Sequence, residues 1–138
     1  MIPVSQRRVS DTDGDCLNAC FASILEMPIE DVPPLIADSQ FPHWIFAVRA
    51  WLAPANLSLV CIKDVDVPDG WSICTVKSKR FPGKYHAVVA KDGEPMHDPS
   101  PTADLEWDRQ NICWFHAITV IDPTRPVNVE AIAGKEGP

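Results

Sequence analysis

Asp15-Cys16-Leu17-Asn18-Ala19-Cys20-Phe21-Ala22-Ser23-Ile24-Leu25-Glu26-Met27 is the stretch on which the fold turns. Its apolar positions Leu17, Cys20, Phe21, Ile24 and Leu25 recur at helical spacing, so a helix over residues 15–27 is expected to bury one stripe. Asp13 or Asp15 can cap its start, since a short carboxylate accepts from the unpaired N–H groups there. Pro28 stops it, lacking an N–H and clashing with the preceding turn. Upstream, residues 1–14 read as extended or irregular and end in the turn-rich run Asp11-Thr12-Asp13-Gly14. Downstream, residues 29–32 read as a further turn before Pro33-Pro34. A second helix is expected over residues 43–53, where Trp44, Val48, Trp51 and Leu52 repeat at steps of four, three and one.

From residue 57 the texture changes to short β-type runs separated by Gly, Pro and Asp. Residues 57–62, 71–76, 85–90, 95–97 and 112–120 are the expected strands. Helices followed by strands imply an α+β domain, residues 1–121, with a mostly antiparallel sheet. Residues 122–138 carry three prolines and two glycines without a sustained pattern, and a loosely attached tail is expected there.

The 138 residues suffice for one domain with a single core. No run approaches the roughly 18 apolar residues that span a bilayer, so no membrane partner is expected. The two arginines near the start have no apolar stretch behind them, unlike a secretory signal, and a cytoplasmic location is the expectation. A net charge of −7 argues against nucleic acid as the main partner, because a phosphate-binding surface needs clustered Lys and Arg. Arg7-Arg8 and Lys77-Ser78-Lys79-Arg80 are the clusters present. The second reads as a solvated loop, or as a feature that steers an acidic substrate.

Five cysteines, an odd number at irregular spacings, do not suggest a disulfide framework. Cys20, Cys61, Cys74 and Cys113 are expected to be buried, reduced and hydrophobe-like. Cys16 is the exception. It falls in the first turn of the expected helix, where unpaired N–H groups favour a thiolate and, with Gly14 permitting close backbone approach, could hold an oxyanion. Asp11, Asp13 and Asp15 crowd the same helix end and oppose that negative charge. A compensating cation is needed, and His43, His86, His97 and His116 are the histidines available.

Hairpin geometry chooses among them. Residues 85–90 and 94–98 flank Lys91-Asp92-Gly93. A two-residue turn at Asp92-Gly93 leaves His86 and Asp98 on opposite faces. A three-residue loop with Gly93 in the left-handed position sets His86 directly opposite Asp98, within reach for a carboxylate to orient an imidazole. That loop is the register under which the pair exists, and His97 then points to the other face. The plainer alternative makes His86 a half-buried strand residue satisfied by a carbonyl, and Asp98 the opening of an Asp98-Pro99 turn.

Gly14-Asp15-Cys16-Leu17-Asn18-Ala19-Cys20-Phe21-Ala22-Ser23-Ile24-Leu25, followed by Pro28-Ile29-Glu30-Asp31-Val32-Pro33, resembles the opening of small papain-like proteins of bacteriophages and bacteria. These are related to the peptidases that cut double-glycine leaders from bacteriocins. His86-Ala87-Val88-Val89-Ala90-Lys91-Asp92-Gly93 and His97-Asp98-Pro99-Ser100-Pro101 resemble the His and Asp strands of the same group, and the order Cys, His, Asp matches. The resemblance implies a papain-like fold, with the cysteine-bearing helix packed on the sheet that carries His and Asp. It implies Cys16 as nucleophile, His86 as general base and acid, and Asp98 as orienter. The family's oxyanion-hole glutamine lies upstream of the cysteine; Gln6, ten residues before Cys16, is the candidate, across a longer gap than the leader peptidases use.

The expected activity is a thiol hydrolase acting on a peptide, isopeptide or related amide, with a peptide or protein as partner and no cofactor. A papain-shaped binding module docking on a host protein, as a phage factor would, is the alternative from a different class. Acyl transfer with the same triad is a third. Zinc is disfavoured: structural sites use tighter cysteine pairs than Cys16 and Cys20, and the histidines are not paired at helical spacing. Trp44 and Trp51 read as core, whereas Trp71 and Trp107 are candidates to border a cleft.

Overall fold

Helix α1, Cys16–Leu25, buries Leu17, Asn18, Ala19, Cys20, Phe21, Ala22 and Ser23, nearly its whole circumference rather than one stripe. The computed structural model describes residues 1–5, 7, 16–33, 44–63, 68–78, 82–100 and 112–133. Small side chains explain the burial, because Ala19, Ala22 and Ser23 let backbone approach closely on the side away from Phe21. The amino-terminal segment uses that room. Ile2 N–H donates to Ser23 O at 3.0 Å and Val4 N–H to Ser23 Oγ at 2.9 Å.

The helix ends two residues before the expected Met27. Glu26 takes a left-handed conformation with φ 58°, and Met27 N–H then closes onto Ala22 O at 3.0 Å. Pro28 follows, and a 3-10 turn over Ile29–Asp31 folds back so that Asn18 Nδ2 donates to Pro33 O at 2.8 Å. Helix α2, Trp44–Leu52, points Val48 and Leu52 into the core. The rings of Phe21 and Trp51 meet edge to face at 5.5 Å, joining the two helices.

Among the described residues five strands follow: β1 Leu57–Lys63, β2 Trp71–Lys77, β3 Tyr85–Lys91, β4 Glu94–His97 and β5 Ile112–Val120. They form one sheet in the order β1-β5-β2-β3-β4, with every pairing antiparallel. The expected α+β class with an antiparallel sheet is therefore present. Alternation along the strands divides the apolar residues between two faces. Ile73, Ala87 and Val89 pack with α1 and α2, while Cys74, Val76, Val88, Ala90 and Phe115 form a second cluster.

Three expectations need correction. The β3–β4 connection is the two-residue turn, not the three-residue loop: Lys91 pairs with Glu94, and Asp92 and Gly93 both have positive φ, 50° and 81°. This is the primed turn whose twist matches the flanking strands. Cys61 is exposed and Cys113 half-buried, because β1 is an edge strand and Cys113 lies at the β2–β5 register shift; Cys20 and Cys74 are buried, and all five thiols are free.

The segment beyond Val120 is also tied down as far as Ala133. Buried Asn56, left-handed at φ 65°, donates from Nδ2 to Asp122 O at 2.8 Å and Arg125 O at 3.0 Å, and its Oδ1 accepts from Asp122 N–H at 3.0 Å. Asn128 N–H donates to Ala55 O, and Ile132 joins the core. A low apolar content hid this attachment, since backbone amides carry most of it. Asn56→Ala leaves two carbonyls and one N–H without these partners and keeps a strained φ. It is expected to cost about 3–5 kcal/mol in denaturant unfolding and to speed hydrogen exchange at Ile121 and Asp122 more than at β3.

Candidate active site

Cys16 is the first residue of α1 and is half-buried. The first-turn N–H groups have no partner within the helix and carry its positive dipole end, which suits a sulfur anion and an oxyanion alike. α1 packs chiefly on β3 and runs with it, so its start lies over the start of that strand. His86, the second residue of β3, is 5% exposed and lies within hydrogen-bonding reach of the Cys16 thiol.

Asp98 follows β4 directly. A continuous two-residue hairpin would carry it opposite Ala87, facing away from His86. A bulge prevents this: Ala90 pairs with Pro95, but Val89 pairs with His97, so β4 holds one extra residue. The shift moves Asp98 to the His86 side, and His86 Nε2 donates to Asp98 Oδ1 at 2.7 Å. The pairing expected from a wrong turn thus exists by a different route. Pro95 was the available signal, because a proline inside a short strand marks an edge or a bulge.

Sequence reasoning did not anticipate what holds the carboxylate. Ser100 N–H donates to the same Oδ1 at 2.9 Å, closing an Asx turn over fully buried Pro99. The Asp98 side chain is 4% exposed. The turn reading of Asp98-Pro99 and the pairing reading are therefore both true, and the first supports the second.

Charge follows from this geometry. Burial alone would lower the His86 value, but the bonds to Asp98 and Cys16 and their negative charge overcome it and raise it to about 10. The ring thus meets the Asp98 carboxylate through Nε2 and has the Cys16 thiol as a second neighbour. Cys20, one helical turn below Cys16, has a thiol pushed well up by burial, then by Cys16, Asp98 and Cys74. It is a packing residue.

The other histidines are placed differently. His97 lies on the opposite face, as expected, and its Nε2 donates to Val4 O at 2.7 Å. His116 is buried against Trp44, ring centroids 5.1 Å apart, and is lowered to about 4 by burial and by Arg49. His43 lies outside the described residues, as do Gln6, Asp11, Asp13, Gly14, Asp15 and Trp107. Trp44 and Trp51 pack against the core, and Trp71 borders an open groove of about 460 Å³ at the far end of α1, away from Cys16. Among the described residues no group of three or more His, Cys, Asp or Glu side chains is arranged to hold a metal ion.

The two buried histidines should titrate in opposite directions. In a pH series of imidazole nitrogen spectra, His86 keeps the imidazolium signature until pH approaches 10, and His116 stays neutral until about pH 4. Pairing of His86 stabilises the fold fully below pH 6.5, and that contribution is lost between about 6.5 and 10. The stability gap between the parent and His86→Gln should narrow across that window by at least about 1.4 kcal/mol, the equivalent of one pKa unit. A His86 titrating near 6.5 would contradict the arrangement.

No protein-family model, no curated protein and no solved structure matches this chain.

Proposed function

We propose that the chain is a papain-like thiol hydrolase that cleaves a peptide, isopeptide or related amide through Cys16, His86 and Asp98. The observation that carries the reading is one buried imidazole, bonded to Asp98 at 2.7 Å and within reach of a half-buried cysteine at a helix start. A purely structural histidine would need one partner; this one is bonded to a carboxylate and also has a cysteine thiol beside it, the types a thiol nucleophile requires.

The chemistry follows from the positions. The Cys16 proton passes to His86, giving a thiolate beside an imidazolium, and Asp98 fixes the ring through Nε2. The thiolate attacks the substrate carbonyl carbon, forming a C–S bond and a tetrahedral oxyanion. The first-turn N–H groups of α1 donate hydrogen bonds to that oxygen, each good donor contributing roughly 3–4 kcal/mol to the transition state. Collapse breaks the C–N bond, and the imidazolium gives its proton to the leaving amine. A water molecule then transfers its proton to His86 and attacks the thioester, releasing the carboxylic acid and the thiolate. Gln6 belongs to the proposal as a side-chain oxyanion donor. The same proposal places the enzyme in a cytoplasm, that of the host if phage-encoded, where free thiols persist.

Alkylation tests the reading directly. Iodoacetamide at pH 5–6 is expected to modify Cys16 faster than exposed Cys61, the internal reference, while buried Cys20 and Cys74 stay unmodified. His86→Ala should remove the excess at Cys16. Once a substrate is found, Cys16→Ala abolishes turnover with the fold intact, and Asp98→Ala is milder than His86→Ala by on the order of 10–100-fold. If Cys16 labels no faster than Cys61 at pH 5–6, the thiolate–imidazolium pair is absent and the binding-module reading replaces this one.

A further inference from the structure

Charge along the chain is strongly segregated. The 21 residues 71–91, which form β2 and β3 and their connection, contain Lys77, Lys79, Arg80, Lys84 and Lys91 and no acid. These are five of the 12 basic residues, so the remaining seven stand against all 19 acids and the rest of the chain carries −12. Of these, Lys77 and Lys84 are exposed at the end of β2 and β3 nearest His86, whereas Lys91 lies at the far end, 5.2 Å over the Trp71 ring.

That hairpin also presents an aromatic shelf. Tyr85, immediately before His86, is 57% exposed, and its ring meets Trp114 of β5 at 5.2 Å and 49°. The register accounts for the contact, because Thr75 pairs with Ala87 on one side and Trp114 on the other. Alternation along β3 puts Tyr85 on the Ala87 side, and Ala87 belongs to the core cluster against which Cys16 packs. Lys77 stands opposite Tyr85, and exposed Lys84 precedes it. Leaving a tyrosine this exposed at a strand start costs apolar surface that a docked side chain would cover.

We propose that Tyr85, Trp114, Lys77 and Lys84 form the specificity surface of the Cys16 site, and that it selects an acidic polypeptide segment carrying an aromatic side chain. The aromatic residue stacks on the Tyr85–Trp114 shelf, and flanking carboxylates face Lys77 and Lys84. The inference rests on the thiol-hydrolase reading only for what happens after docking. The rest of the chain carries a net −12, so charge favours this surface over the remainder.

The test uses the full-length Cys16→Ser variant, which binds without turnover, and fluorescent 12-residue peptides. One is acidic with a single Phe, one acidic with Ala in its place, and one basic with the Phe retained; a single-stranded DNA of matched charge is the fourth ligand. The acidic Phe peptide is expected to bind about tenfold tighter than each of the other three, with affinity falling steeply between 50 mM and 500 mM salt. Tyr85→Ser should erase the preference for Phe, and Lys84→Glu should weaken the preference for acid; both positions are exposed, so folding is retained. Equal binding of acidic and basic peptides, indifference to Tyr85→Ser, or DNA binding as tight as the peptide overturns the proposal. Failure of the parent enzyme to cleave a peptide that binds as described counts against hydrolysis alone.

Discussion

Packing of α1 against β3 is the constraint on which the rest depends. Ala19, Cys20, Phe21 and Ala22 are all fully buried, so the helix has essentially one position and one rotation on the sheet. Interiors packed at crystal-like density do not let such a helix slide. A rotation would expose Phe21 or drive it into the strand. Cys16, at the helix start, is therefore placed relative to His86 chiefly by the buried residues that follow it in the helix.

The acidic partner is positioned by a different device. β4 is short, at the sheet edge and interrupted by Pro95, which gives it little power to set its own register. The primed turn at Asp92-Gly93 fixes one end, and the extra residue after Pro95 rotates the chain so that Asp98 comes round to His86. The Asx turn with Ser100 then holds the carboxylate against the ring. Because ring and carboxylate are both almost wholly buried, their bond is little screened, and the imidazole keeps its proton well above neutrality.

Histidine chemistry in this chain is decided by neighbours, not by burial alone. His86 and His116 are similarly hidden, yet their values diverge to about 10 and about 4. One faces a carboxylate and a thiol; the other faces Trp44 and the positive charge of Arg49. The difference separates a group that can hold a proton for a leaving amine from one that fills space.

Local chemistry made much of this legible beforehand. Apolar periodicity located the two described helices, and β-type runs bounded by Gly, Pro and Asp located the five described strands, all to within two residues. The residues Cys16, His86 and Asp98 stood out by type and by order. Other features were settled only in three dimensions. The turn length and the bulge are a competition between local backbone preferences and the need to bury both faces of β3, and a sequence window contains only the first. The anchoring of residues 122–133 by Asn56 spans 66 positions or more, and the exposure of Cys61 follows from β1 being an edge, a consequence of β5 inserting between β1 and β2. Periodicity is a property of neighbours along the chain, whereas register, edge and proton affinity belong to neighbours in space.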